Sequence, residues 1–143
     1  MRYEPLNDGE ANWIRTQIQS AVALTEARTD LPSLEQLDQA FAAFTATGDD
    51  ANSRANEVIM AIGIAFGEHL VHSLNFSWTI ASDEYGTDVA VVAQPGNVTI
   101  FPTGFVSKRW EAKETNFLVA AFAKIAQTKV EVRNNWRNEG TQK

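Results

Sequence analysis

The apolar residues in the first half of the chain recur at helical spacing. A helix-start pattern at Asn7, with Glu10 three residues later, precedes apolar positions at every third or fourth residue and predicts a first helix to about Ala27. Leu31-Pro32 interrupts that pattern, and Ser33 with a glutamine three residues later forms a capping box. The spacing therefore predicts two successive helices joined by a short break.

A third helix is predicted from about Asn52 to His72, with apolar residues over a wide arc. The segment Gly48-Asp49-Asp50 is expected to close the hairpin that the second helix forms. Gly63 and Gly67 are four residues apart, so they lie on one side of the third helix. The lack of side chains there predicts a close approach to a sheet or another helix, because packing has to offset the helix-propensity cost of two glycines.

The hydrophobic period then changes from helical to alternating. Leu74 to Ala81 alternates between apolar and polar residues, which predicts a first strand. After an acidic turn, Asp83 to Asp88, the unbroken apolar run Val89 to Ala93 predicts a middle strand that is covered on both faces. Pro95-Gly96 suits the centre of a type II turn, and Val98 to Phe101 is predicted as the third strand of the meander.

The last part of the chain returns to a helical pattern. A short helical or irregular connection is expected over Phe105 to Trp110, followed by a last helix from about Thr115 with one apolar face. The polar residues 138–143 are predicted to form a frayed tail. Residues 1–143 are therefore expected to form a single α+β domain with N-terminal helices, a three-stranded antiparallel meander and a C-terminal helix packed on the sheet.

Composition narrows the classes of function. Twelve Lys and Arg against eighteen Asp and Glu give a net charge of -6, which disfavours a nucleic-acid partner and makes a basic protein the better expectation among partners. A net charge of this size is also what solubility alone requires, and that interpretation is favoured over a charge-selected partner. The absence of cysteine excludes disulfides, thiol catalysis and thiolate metal sites. The phosphate-binding, serine-hydrolase and zinc-protease motifs are also absent, so no cofactor is expected and enzymatic activity is disfavoured.

The beginning of the chain bears on its location. Met1 to Pro5 lead into polar residues without the apolar core of a signal peptide. No stretch approaches the roughly 18 apolar residues of a membrane span. The protein is therefore expected in the cytoplasm, without a membrane partner.

The turn between the first two predicted strands holds the densest group of charged residues. Asp83, Glu84 and Asp88 fall within six residues, and Gly86 is suited to a positive φ. Aligned with a helix-loop-helix calcium site, the segment has tyrosine and threonine at ligand positions and Asp88 where glycine is required. Asp side chains stabilise turns by accepting hydrogen bonds from nearby amides, so a structural turn is favoured over an active site.

A functional alternative makes these carboxylates part of a surface, where they pair with nearby basic residues or meet a cationic ligand. The residues of this candidate interaction or ion-pair surface are Asp83, Glu84, Tyr85, Asp88, Lys108, Arg109 and Trp110. Among the four tryptophans, Trp110 is the candidate for a surface anchor. Trp13, Trp78 and Trp136 fall in predicted apolar patterns, so they are expected in the core.

The two histidines form a second candidate site. Glu68, His69 and His72 lie within one and a half turns at the end of the third helix, and a metal site would need a further ligand such as Asp83 or Glu84. The spacing matches no specific metal motif. Polar residues at the solvent-exposed end of a buried helix are the favoured interpretation, since His also suits the negative end of the helix dipole.

Several short runs carry a resemblance to a known family. They are Gly63 to Glu68, Phe76 to Ile80, Asp83 to Asp88, Phe101-Pro102 and Val106 to Arg109. Together these runs resemble a bacterial family catalogued as a domain of unknown function, number 3806, over about Asn56 to Trp110. The resemblance implies a small bacterial protein without an established activity, so it provides no catalytic residues.

Three functions are compared on this basis. The leading hypothesis is a non-enzymatic binding module, such as an immunity-type or adaptor protein whose acidic surface covers a basic partner. The first alternative is a metal-assisted or acid-base enzyme built on Glu68, His69, His72, Asp83 and Glu84. The second is a small-molecule sensor with a pocket between the last helix and the sheet. The oligomeric state is left open.

Overall fold

The structure is a computed structural model that describes residues 1–47 and 52–141, without the side chains of residues 52, 53 and 138–141. The predicted hairpin closure at Gly48-Asp49-Asp50 lies outside the described residues. The elements in chain order are β1 (Arg2–Glu4), α1 (Asp8–Thr25), α2 (Leu34–Ala46), α3 (Asn52–Leu74), β2 (Ser77–Asp83), β3 (Gly86–Ala93), β4 (Val98–Ile100), α4 (Pro102–Ala112) and α5 (Leu118–Thr141). The backbone of α5 extends into the segment predicted as a polar tail.

The fold is α+β, as predicted, but the antiparallel sheet has four strands rather than three. Its order is β1-β2-β3-β4, and β1 pairs with β2 through Tyr3 and Ala81. A three-residue strand with one aromatic residue between two charged ones has no detectable hydrophobic period, which is why β1 was not predicted. The central strand β3 is confirmed, since the adjacent residues Ala90 and Val91 point to opposite faces and are both fully buried.

The starts of α1 and α2 follow the predicted capping boxes. The Asn7 side chain accepts from the Glu10 amide at 2.8 Å, and the Glu10 carboxylate accepts from the Asn7 amide at 2.8 Å. Ser33 and Gln36 make the same reciprocal pair at 3.1 and 2.8 Å. These bonds satisfy amides that have no partner within the helix, so local sequence sets both helix starts.

Helix α3 is the central helix, and its glycine side is packed as closely as predicted. A Cβ atom at Gly63 would lie 2.8 Å from the Cα of Thr103, and one at Gly67 would lie 2.5 Å from the Trp78 ring. Both distances are shorter than van der Waals contact, so any side chain would force α3 away from α4 and β2. Other positions of α3 carry much of the core, including the fully buried Phe66.

The connection after the sheet is a full helix, longer than the predicted short segment. Pro102 stands at the first turn of α4, where a missing amide hydrogen costs nothing. The sequence Pro102-Thr103-Gly104, expected to end a strand, therefore begins a helix. At the earlier boundary, Leu74 belongs to the end of α3 rather than to the first predicted strand, and β2 begins at Ser77.

A buried carboxylate positions the last helix. Asp38 of α2 is 6% exposed, and its two oxygens accept from the amides of Leu118 at 2.9 Å and Val119 at 3.3 Å. These are the first amides of α5, so a side chain distant in sequence acts as its N-terminal cap. This explains why α5 begins at Leu118 and not at Thr115.

The sheet is strongly curled. The Tyr3 hydroxyl of β1 lies 2.7 Å from the Thr99 hydroxyl of β4, although β2 and β3 separate these strands. Three strand spacings in a flat sheet amount to about 14 Å, which is more than these two side chains can span. The face turned away from the helices is therefore concave, and the small side chains of Ala81 and Ala90 are buried there.

One segment within the described residues, Arg54–Leu74 of α3, is long and apolar enough to cross a membrane by length and composition. The expectation that no stretch comes near this limit is therefore not met. More than half of the segment is buried inside the fold, and the core helix of a soluble protein passes the same test.

Candidate functional site

The acidic segment is the two-residue turn of the β2–β3 hairpin. Asp83 pairs with Gly86 across the turn, and the Asp83 carboxylate accepts from the amides of Tyr85 at 2.8 Å and Gly86 at 3.2 Å. Gly86 has φ +151°, a conformation that favours glycine. The Asp88 carboxylate accepts from the amide of Val89 at 2.8 Å. The geometry of the segment is thus the structural turn that its residues predicted.

The tip of this hairpin is open to solvent. Tyr85 is 90% exposed, and a shallow depression of about 290 Å³ lies beside it. The depression is lined by Asp83, Tyr85, Gly86, Thr87, Asp88 and Phe101. A ring with so little burial contributes little to the stability of the fold.

The basic residues of the candidate surface have other contacts. Arg109 lies with its Nε 3.5 Å from a Glu114 oxygen and its guanidinium 4.2 Å from the centre of the Phe105 ring. Within residues 1–47 and 52–141, no ion pair joins Lys108 or Arg109 to the acidic turn. The predicted ion pairs between the two halves of this surface are therefore not formed among the described residues.

The exposure of the tryptophans differs from the expectation. Trp110 is half-buried and packs at ring-centre distances of 6.1 Å from Phe41 and 5.3 Å from Phe44, so it is part of the core boundary and not a surface anchor. Trp13 and Trp136, expected in the core, are 37% and 58% exposed. A helical pattern shows which side of a helix is apolar, but it does not show whether the fold covers that side.

The histidines are held by local structural contacts. His69 donates from Nε2 to the Pro32 carbonyl at 2.6 Å. His72 lies 2.9 Å from one oxygen of Glu68, and the other oxygen accepts from the Trp78 indole at 3.2 Å. In the described part of the chain, no three His, Asp or Glu side chains are grouped as metal ligands. The ligand set required by the metal-assisted version of the enzyme alternative is therefore not assembled among the described residues.

A larger open groove runs between α1 and α3, and the sequence did not predict it. Its volume is about 740 Å³. The α1 wall consists of Trp13, Gln17, Ser20, Ala23 and Leu24, and the α3 wall consists of Arg54, Asn56, Glu57, Val58, Met60 and Ala61. This groove does not coincide with the predicted pocket between the last helix and the sheet.

The groove combines an apolar floor with charged edges. Val58 and Ala61 are buried beneath it, and the exposed ring of Trp13 stands on the α1 side. Arg54 and Glu57 are exposed, and neither forms an ion pair with another described residue. The arrangement has the features of a binding site: apolar contact area with a few polar groups that orient what binds.

The charge of the chain is divided unevenly along the sequence. Residues 1–107 contain four Lys and Arg against fourteen Asp and Glu, a net charge of -10. Residues 108–143 contain eight against four, a net charge of +4. The groove and the hairpin tip lie in the acidic part, whereas α5 lies in the basic part.

Comparisons with known proteins identify the family. The family model described as a domain of unknown function (DUF3806) matches residues 40–122, a longer segment than the runs that carry the resemblance. The match contains the hairpin tip and the α3 wall of the groove, but not the α1 wall. No curated protein and no solved structure matches the chain. Because the match covers more than half of the sequence, the chain belongs to the DUF3806 family.

Proposed function

We propose that this chain is a non-enzymatic binding module of the immunity or adaptor type, acting in the cytoplasm, whose groove between α1 and α3 holds a helical segment of a basic protein. One observation carries the proposal: Trp13 stands 37% exposed on the wall of an open groove of about 740 Å³. An exposed tryptophan ring offers apolar contact area to a partner. This ring is left partly uncovered beside other apolar side chains.

The shape of the groove suits a helix. Trp13, Gln17, Ser20 and Leu24 recur at every third or fourth residue, so they form one stripe along α1 that faces Met60 on α3. Two such walls with apolar side chains between them can receive the apolar face of an amphipathic helix. Tryptophan and methionine are also enriched at the centres of protein interfaces.

Charge favours a basic occupant. The groove belongs to residues 1–107, whose net charge of -10 attracts a cationic segment and speeds its association. Glu57 at the edge of the groove is positioned to accept charge-assisted hydrogen bonds from Lys or Arg of a partner. Apolar contacts in the groove supply the affinity, and the charges supply the orientation.

The hairpin tip is a further contact in this proposal. Tyr85 is exposed among the carboxylates of Asp83, Glu84 and Asp88. Exposed ion pairs contribute only about 0 to 1 kcal/mol each. The tip therefore adds more to the rate of encounter with a basic partner than to the affinity.

A peptide-binding experiment tests the groove. The probe is a synthetic amphipathic helix of about 18 residues, with leucines on one face and lysines on the other, and binding is followed by fluorescence anisotropy of a dye on the peptide. Ala23→Trp fills the groove from an exposed position without changing its charge. The dissociation constant is expected to rise at least about tenfold. Ala43→Trp, at an exposed position of α2 outside the groove, is the matched control and should bind within about twofold of the wild type.

The controls separate groove binding from general attraction between opposite charges. Equal binding by wild type and Ala23→Trp would show that the groove is not the site. A scrambled peptide of the same composition should bind at least about tenfold more weakly, because it keeps the charge but cannot present one apolar face. If the scrambled peptide binds equally well, the proposed recognition of a helix is wrong.

A further inference from the structure

We infer that the basic helix received by the groove is the distal part of α5 from a second copy of this chain. The inference rests on the proposed function of the groove and specifies the partner. It is carried by three observations: the exposed end of α5, the direction in which that helix runs, and the division of charge between the two parts of the chain.

The distal part of α5 extends beyond the covered part of the fold. Val132 is the last described residue of α5 with partial burial, and its Cγ1 would lie 2.8 Å from a Cβ atom at Gly96 in the β3–β4 loop. All described side chains after it, residues 133–137, are exposed. Trp136 continues the face of Phe122 and Val132 but is 58% exposed. The apolar face of α5 thus extends beyond the part of the helix that the core covers.

The exposed end carries apolar and basic side chains on one side of the helix. At 100° per residue, Val130, Arg133, Trp136 and Arg137 fall within an arc of about 120°. Val130 is 45% exposed, and both arginines are exposed. One side of the helix therefore presents a tryptophan, a valine and two guanidinium groups, the combination expected of a basic helix that binds an apolar groove.

This end of α5 cannot reach the groove of its own molecule. Near the start of α5, Phe117 packs against Phe105, which stacks on Phe66 in the middle of α3. Further along, Lys129 donates to the carbonyl of Leu74 at the C-terminal end of α3. Helix α5 therefore runs toward that end of α3 and continues past it. The groove lies at residues 54–61, about 20 Å or more back along α3 at 1.5 Å per residue.

Charge favours a second copy of the chain as the partner. The net charge of -10 on residues 1–107 attracts the +4 segment, residues 108–143, of another molecule. The net charge of -6 on the whole chain disfavours phosphate surfaces such as anionic membranes and nucleic acids. In the contact, Trp136 packs beside Trp13, and an arginine of α5 meets Glu57. The contact joins different surfaces of the two copies, so it is head-to-tail and leaves a groove and a helix end available for further copies.

Sedimentation velocity over a concentration series tests the inference. The wild type is expected to gain mass with concentration, and to lose that gain as salt is raised from low to high ionic strength. Trp136→Ala and Ala23→Trp should each weaken self-association at least about tenfold. Val119→Ala, an exposed position at the other end of α5, is the matched control and should associate as the wild type does.

Mixing the two defective variants gives the decisive result. Ala23→Trp keeps an intact helix end and Trp136→Ala keeps an intact groove, so an equal mixture should form a dimer of one of each and no larger species. If the mixture stays monomeric while the wild type associates, the head-to-tail contact is wrong. If the Trp136→Ala variant associates as well as the wild type, the head-to-tail contact is also wrong.

The outcomes also separate this inference from the function on which it rests. If the wild type remains monomeric at every concentration but binds the leucine-lysine peptide through the groove, the second copy is wrong and the binding module stands. If the protein neither self-associates nor binds the peptide, the inference and the proposed function are both wrong. Trp136-dependent binding to vesicles containing phosphatidylglycerol, without self-association, would overturn the inference in favour of a membrane surface.

Discussion

Asp38 shows how one buried side chain positions an element that lies eighty residues away. Both of its oxygens accept from the first amides of α5, at 2.9 and 3.3 Å. Those amides have no partner within the helix, so removing the carboxylate leaves them buried without hydrogen bonds.

We expect Asp38→Ala to lower the free energy of unfolding by about 2 kcal/mol, the sum of a lost helix cap and unsatisfied buried amides. Asp38→Asn keeps one acceptor and should cost less. Urea denaturation measures both changes, and Asp30→Ala, at an exposed loop position, is the control with an expected change within about 0.5 kcal/mol. An Asp38→Ala protein as stable as this control would show that the cap contributes nothing.

Two residues of the hairpin tip, Asp83 and Tyr85, are expected to differ in how much they contribute to the free energy of unfolding. Asp83→Ala removes the acceptor for two turn amides and is expected to lower the free energy of unfolding by about 1 kcal/mol. Tyr85→Ala should change it by less than about 0.5 kcal/mol, because the side chain is 90% exposed. Thermal and urea unfolding of the two variants provide the comparison. A large loss of stability in Tyr85→Ala would mean that the ring has a structural role.

At the scale of elements, the approach of α3 to its neighbours depends on its two glycines. Gly67→Ala gains about 1 kcal/mol in helix propensity. It also places a Cβ atom 2.5 Å from the Trp78 ring, and this overlap lowers stability. Overpacking of this kind costs about 1 to 3 kcal/mol, so we expect a net loss of stability.

Gly9→Ala is the matched control in an open helical position. Its Cβ atom would meet only the Asn7 side chain at 3.5 Å, an ordinary contact, so this variant should gain up to about 1 kcal/mol. Opposite signs for the two glycine variants in urea denaturation would confirm that packing, and not propensity, requires Gly67. A stabilised Gly67→Ala would contradict the close approach.

Elements whose signals are local were predictable, and those that depend on tertiary contacts were not. The capping boxes at Asn7 and Ser33 act within four residues, so both helix starts follow from the sequence. By contrast, β1 exists because β2 offers a partner, and α5 begins where Asp38 reaches it. Pro102 fits both a strand end and a first helical turn, and only the packing of α4 on α3 decides between them.

The same limit applies at the scale of the whole molecule, where the candidate site is found. The turn geometry of Asp83 was predictable because its partners are two and three residues away. The groove was not, because its walls come from α1 and α3 and neither wall carries a recognisable motif. The exposure of Trp13 and Trp136 likewise depends on which helix faces remain uncovered after folding.

The charge division connects the two proposals. A net charge of -6 describes a moderately acidic protein, but it is the sum of -10 on residues 1–107 and +4 on residues 108–143. The acidic part bears the groove, and the basic part bears the exposed helix end. Association at low salt is therefore expected to join unlike parts of different molecules.

The hydroxyl contact between Tyr3 and Thr99 has a consequence for the order of synthesis. These residues are 96 positions apart, and β1 is made before the three helices that precede its partner β2. On the ribosome β1 must stay unpaired until the hairpin has emerged, while α1 and α2 can already form from local contacts. Of the four strands of the sheet, the one translated first is thus among the last to pair. Its two charged residues, Arg2 and Glu4, help to keep the unpaired strand from pairing with other chains.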